Sequence, residues 1–108
     1  MTIAAALVLV SAGSVATAAS RAFDIDIDET SARRASAVVV QQGDDVALRI
    51  SSDKPVDVHL HGYDIAATAS KAKPANLQFV ARIAGRFPIE IHSSGRERVV
   101  AYVEVHPR

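Results

Sequence analysis

The sequence predicts an all-β fold: a Greek-key antiparallel β-sandwich of about seven strands. Three observations carry that prediction. Apolar residues recur at every second position through most of residues 22–106. Clusters of Gly, Pro, Asp and Ser interrupt the alternation at short intervals, as turns between strands do. No long amphipathic stretch of helical period follows residue 21.

The first strand covers residues 22–28, where Phe23, Ile25 and Ile27 alternate with Asp24, Asp26 and Asp28. Residues 37–41 form a short Val run that ends in Gln42-Gly43-Asp44, a turn sequence. Val46, Leu48 and Ile50 mark the third strand, closed by Ser51-Ser52-Asp53-Lys54-Pro55. In the fourth, Val56, Val58 and Leu60 alternate with Asp57, His59 and His61, up to Gly62. Residues 63–74 have weaker periodicity, with Lys71-Ala72-Lys73-Pro74 as a loop. Leu77, Phe79, Ala81 and Ile83 carry the fifth strand, and Ala84-Gly85 turns the chain. Phe87, Ile89 and Ile91 carry the sixth, followed by the turn Ser93-Ser94-Gly95. Val99, Ala101, Val103 and Val105 carry the seventh. Pro88 removes a ladder donor, so its strand should lie at an edge or carry a bulge.

Residues 3–19 contain no charge, and Ala16-Thr17-Ala18 matches the small-x-small pattern that signal peptidases accept. Residues 1–18 are therefore expected to be a signal peptide, with residues 19–108 as the exported domain of about ninety residues. Export to the periplasm follows, with membrane attachment only if the leader stays uncleaved. Met1-Thr2 supplies no basic residue ahead of the apolar stretch. Among 108 residues, twelve basic side chains balance twelve acidic ones. The charges are scattered rather than gathered on an aromatic-bearing basic face, which excludes a nucleic-acid partner. There is no cysteine, so disulfides, thiolate metal sites and Cys nucleophiles are excluded. Nothing resembles a nucleophile elbow or a phosphate-cradling Gly loop, so no enzyme is expected.

The four histidines all fall on the polar phase of their strands. His59 and His61 are two residues apart and so share a face, about 6.6–6.8 Å apart along the strand. His92 ends another strand, and if the ends of the two strands are neighbours, His59, His61 and His92 form a three-imidazole metal site at one pole. Neutral imidazole suits copper, zinc or nickel. His106 lies beside the end of the sequence and is the poorest candidate of the four. Solvent-facing polar positions without a ligand are the competing reading of all four. The acidic run of Asp24, Asp26, Asp28 and Glu29 reads as a solvated face rather than a calcium loop.

Taken together, Gln41-Gln42-Gly43-Asp44, His59-Leu60-His61-Gly62-Tyr63-Asp64 and Gly85-Arg86-Phe87-Pro88-Ile89-Glu90-Ile91-His92 give the chain its resemblance to the exported cupredoxin-like domains of bacteria, over residues 38–105. That resemblance implies a Greek-key sandwich with any copper held at one end. In blue-copper members the position of Ile91 is a Cys, followed by a His and a Met; here His92 follows, but Cys is absent and the only methionine is Met1. An electron-transfer blue-copper site is therefore excluded. Two readings follow. The first is a metal-free binding or interaction module with a periplasmic protein partner and no cofactor. The alternative is copper (or zinc) handling through His59, His61 and His92.

Overall fold

The computed structural model describes residues 4–6, 18–28 and 35–108. Eight strands run through these residues: β1 (Ser20–Ile27), β2 (Ser36–Gln41), β3 (Asp45–Ser52), β4 (Val56–Leu60), β5 (Ile65–Ala69), β6 (Ala75–Val80), β7 (Gly85–Ser93) and β8 (Arg96–His106). They form a three-stranded sheet in the order β1-β3-β6 and a five-stranded sheet in the order β2-β8-β7-β4-β5. The inward phase of each strand supplies the core: Val46, Leu48 and Ile50 from β3, Val56, Val58 and Leu60 from β4, Ile89 and Ile91 from β7, and Ala101, Val103 and Val105 from β8. Each fully buried Val, Leu or Ile contributes about 1.5–3 kcal/mol relative to leaving it in water. With no disulfide available, that apolar layer is what holds the sheets together.

The sandwich matches the expected class, with three differences. β5 falls in the weakly periodic stretch, where no strand is expected. Its sequence, Ile65-Ala66-Ala67-Thr68-Ala69, has small side chains on both phases, so hydropathy contrast is too low to show the period. The two N-terminal strands pair in parallel rather than antiparallel, β1 with β3 and β2 with β8. Pro88 lies on β7, between β4 and β8 and away from any sheet edge. Its carbonyl accepts from the His61 N–H at 3.0 Å. A residue's N–H and C=O face the same neighbouring strand, so the donor that Pro88 lacks would point to where β4 has already ended. The ladder loses only its last rung. One residue farther on, between Ile89 and Glu90, the β7–β8 register shifts and leaves Val100 as an extra residue on β8.

The corner after β4 is built by three residues in succession. Gly62 has φ +85° and lies on the Phe87 ring, where a Cβ would collide. The Tyr63 ring packs against Phe79 and Phe87, with centroids 4.8 Å and 5.0 Å away. Its hydroxyl donates to the Ile83 carbonyl at 3.0 Å and accepts from the Ile83 N–H at 3.1 Å. Asp64 completes the corner at φ +53°, a conformation that Asp tolerates better than most residues. Tyr63 thus ties the β4–β5 corner to the β6–β7 connection. Tyr63→Phe is expected to cost about 1 kcal/mol, because the Ile83 backbone groups can turn to water. Urea denaturation would measure it, and m should be unchanged.

The turn between β2 and β3 hides a carboxylate. The Asp44 side chain is 1% exposed. One oxygen accepts from Gln41 N–H at 2.9 Å; the other accepts from Ala19 N–H at 3.2 Å and Arg108 Nη2 at 3.1 Å. Arg21 Nε stands 3.8 Å away. The Gln41 N–H, then the Ala19 N–H and the two guanidinium groups, hold the Asp44 carboxyl below its ordinary value, while burial opposes them. Asp44 N–H and C=O are also engaged, with Gln41 and Ala81.

The expected signal peptide, residues 1–18, lies outside the described residues except for residues 4–6 and 18. Among the described residues no helix is long and apolar enough to cross a membrane.

Candidate metal site

The outward phases of β4 and β7 place His59, Glu90 and His92 on the outer face of the five-stranded sheet, with His61 just past the end of β4. In the β4–β7 ladder His59 is opposite Glu90, and Asp57 is opposite His92. The His59 and His61 rings meet edge to face at 4.4 Å between centroids, and His59 Nδ1 lies 3.4 Å from His61 Nε2. His61 Nε2 also lies 2.9 Å from Glu90 Oε2. His59 Nε2 faces Asp64 Oδ1 at 3.3 Å, but the Asp64 side chain is 98% exposed and solvent competes for it. Glu90 is the least exposed carboxylate of the group, at 23%.

His92 is placed elsewhere. The expected meeting of strand ends does not occur, because β4 and β7 are antiparallel neighbours and their C-terminal ends lie at opposite poles. His92 stands level with Asp57, four positions from His61, or about 13 Å along the strand direction. Its imidazole instead faces Glu97 across the β7–β8 hairpin, with Nε2 to Oε1 3.4 Å. Among the described residues, Glu90, His92 and Glu97 bring three ligand atoms within 4.8 Å of one another. His106 is apart from all of these, 3.8 Å from Glu104.

The arrangement is thus two adjoining niches: the His59–His61 pair on one side, His92 with Glu97 on the other, and Glu90 between them. Sequence reasoning missed both glutamates. Glu90 shares the outward phase of His92, which is visible in the alternation of residues 87–92. Its role appears only when register sets it beside His59 and His61. Glu97 reaches His92 through the hairpin register, which no local pattern encodes.

The chemistry of His61 Nε2 is constrained. A ring nitrogen carries either one N–H or one lone pair in the ring plane. It can donate to Glu90 or accept from His59, not both. A divalent cation accepts lone pairs from both nitrogens and the carboxylate charge together. Two ligands about 2.0–2.1 Å from one ion at the tetrahedral angle are about 3.3–3.4 Å apart, which the His59–His61 separation matches. A blue-copper centre does not fit this donor set. There is no cysteine, and Ile91, at the position the resemblance assigns to the thiolate, is buried in the core opposite Val58.

No family model matches the chain. No curated protein matches it either. Several solved structures share its fold. One is the multicopper oxidase mgLAC, with TM-score 0.59 and 18% identity over 82% of this chain and 39% of that one. A blue copper oxidase from Nitrosomonas europaea gives TM-score 0.53 and 17% identity over 82% of this chain and 39% of that one. A multicopper oxidase from Pseudomonas thermotolerans gives 0.57 and 17% over 85% of this chain and 31% of that one. The chain spans about two fifths or less of each of these proteins. At such identities the likeness concerns architecture, and the architecture is cupredoxin-like.

Proposed function

We propose that this chain is an exported, cupredoxin-shaped binding domain that holds a borderline divalent ion, Cu(II) or Zn(II), on the outer face of its five-stranded sheet. His59 and His61 are the nitrogen ligands, and Glu90 supplies the charge beside them. The 3.4 Å approach of His59 Nδ1 to His61 Nε2, with the Glu90 carboxylate 2.9 Å from the same nitrogen, carries this reading. The role is ion binding or handling rather than catalysis or electron transfer. The uncharged leader pattern of residues 3–19 supports a periplasmic location.

Calorimetric and spectroscopic titration with Cu(II) and with Zn(II) tests the proposal. One ion per chain is expected, with affinity lowered at least about tenfold by His61→Ala, since a ligand is lost. Glu90→Gln should weaken binding less, because the amide keeps an oxygen but loses the charge. Binding should also weaken in acid, because only neutral imidazole ligates. Loss on His92→Ala with none on His61→Ala would move the ion to the Glu90–His92–Glu97 niche. Titrations without heat or spectral change would overturn the proposal and leave the metal-free interaction module.

A further inference from the structure

The buried Asp44 carboxylate has no part in the ion site, yet it is the most enclosed charged group among the described residues. Its surroundings bear on how the chain begins once a leader is removed. The Ala16-Thr17-Ala18 pattern puts the scissile bond between Ala18 and Ala19. Ala18 is exposed, and the Ala19 nitrogen is 3.2 Å from Asp44 Oδ1. The Ala19 carbonyl accepts from Asp45 N–H at 3.0 Å, and Ser20 then opens the β1–β3 ladder opposite Asp45. The position of the nitrogen is therefore fixed from its C-terminal side, whatever precedes it.

We propose that the α-amino group created by cleavage after Ala18 is a structural partner of Asp44, so that processing converts a neutral N–H···carboxylate bond into a partly buried ion pair. Hydrolysis adds water across the Ala18–Ala19 peptide bond. The departing leader keeps the carboxylate, and Ala19 keeps the amine, which takes up a proton. An α-amino group is mostly protonated at neutral pH. It offers three protons and a full charge where the peptide offered one proton and none, and charge-assisted bonds are about twice as strong as neutral ones. The ammonium joins Arg21 and Arg108 around one carboxylate. Cleavage thereby fastens the start of β1 to the β2–β3 turn and to the segment after β8. The inference rests on export and is independent of ion binding.

The experiment expresses the full chain in a bacterium with its own secretion machinery and weighs the exported product. The expected mass is that of residues 19–108. The folded product is then treated with N-hydroxysuccinimidyl acetate at neutral pH, and acetyl groups are counted by mass. The chain has three lysines, Lys54, Lys71 and Lys73. Up to three additions at ordinary lysine rates are expected, and an Ala19 amine slower by about tenfold or more than the same amine in the denatured chain, since a paired ammonium is a poor nucleophile. Peptide mapping identifies the slow site. In Asp44→Asn the Ala19 amine should react at the ordinary rate. In denatured wild type it should do the same, which keeps the test decisive should Asp44→Asn fail to fold. An Ala19 amine that reacts at the ordinary rate in the folded wild type overturns the ion pair while leaving export intact. A product that retains residues 1–18, or begins elsewhere, overturns the proposal at its first step.

Discussion

Gly62→Ala is expected to destabilise the domain by about 2–5 kcal/mol, the largest effect of a methyl group added at any glycine among the described residues. Two costs combine. Gly62 has φ +85°, where a Cβ costs about 1–2 kcal/mol in backbone strain. The added carbon also meets the Phe87 ring, and forcing a packed ring aside costs about 1–3 kcal/mol more. That ring cannot yield freely, because Tyr63 packs edge to face against it and is held in turn by the Ile83 backbone. Gly43 provides the control. Its φ of +94° is comparable, but nothing stands within 4 Å of the Cβ position. Gly43→Ala should therefore cost the backbone part alone, about 1–2 kcal/mol. Chemical denaturation of both variants separates the two costs. Equal losses would show that the Phe87 contact adds nothing.

Asp44→Asn is expected to lower Tm on the order of ten degrees at neutral pH and to flatten the acid side of the stability curve. An amide cannot accept from every donor that faces this carboxylate, and half its polar atoms would confront N–H groups. The pH dependence has a definite sign. In the folded chain the Asp44 pKa is lowered from 3.8, chiefly by the Gln41 N–H, so the unfolded chain binds the proton more readily. The stabilisation is fully present above about pH 4 and is lost as pH falls through the lower, folded value. Melting curves of the wild type between neutrality and about pH 2 should show that loss, and the Asp44→Asn curve should show less of it. Exposed pairs such as His92–Glu97 contribute little to stability by comparison. Parallel curves for the two proteins would mean that Asp44 is not the group that titrates.

Seven of the eight strands were legible in the sequence, six by alternation and β2 as a short Val run, because one face of each enters the core and period two survives wherever apolar and polar residues differ enough in character. β5 was not, because Ala and Thr differ too little. Nothing local reveals that β1 and β2 pair in parallel with β3 and β8, since pairing partners are chosen by the whole chain. The same limit governs the site. His59 and His61 were legible as a same-face pair from their spacing. Their separation from His92 follows from strand direction, and the part played by Glu90 follows from register. Asp44 was legible only as a turn residue, because turn aspartates are ordinarily solvated and its enclosure comes from Ala19, Arg21 and Arg108, all distant in sequence. Within residues 61–64, Gly62 and Tyr63 serve the corner, while His61 and Asp64 also face other polar groups.

The extra residue on β8 has an electrostatic consequence. Up to Ile89–Ala101 the two strands keep one register; beyond it, His92 is matched with Glu97. Had the ladder run on without interruption, Arg98 would have occupied that place and set a guanidinium against the imidazole. A single unmatched valine, Val100, thus decides whether that imidazole is met by a carboxylate or by a guanidinium.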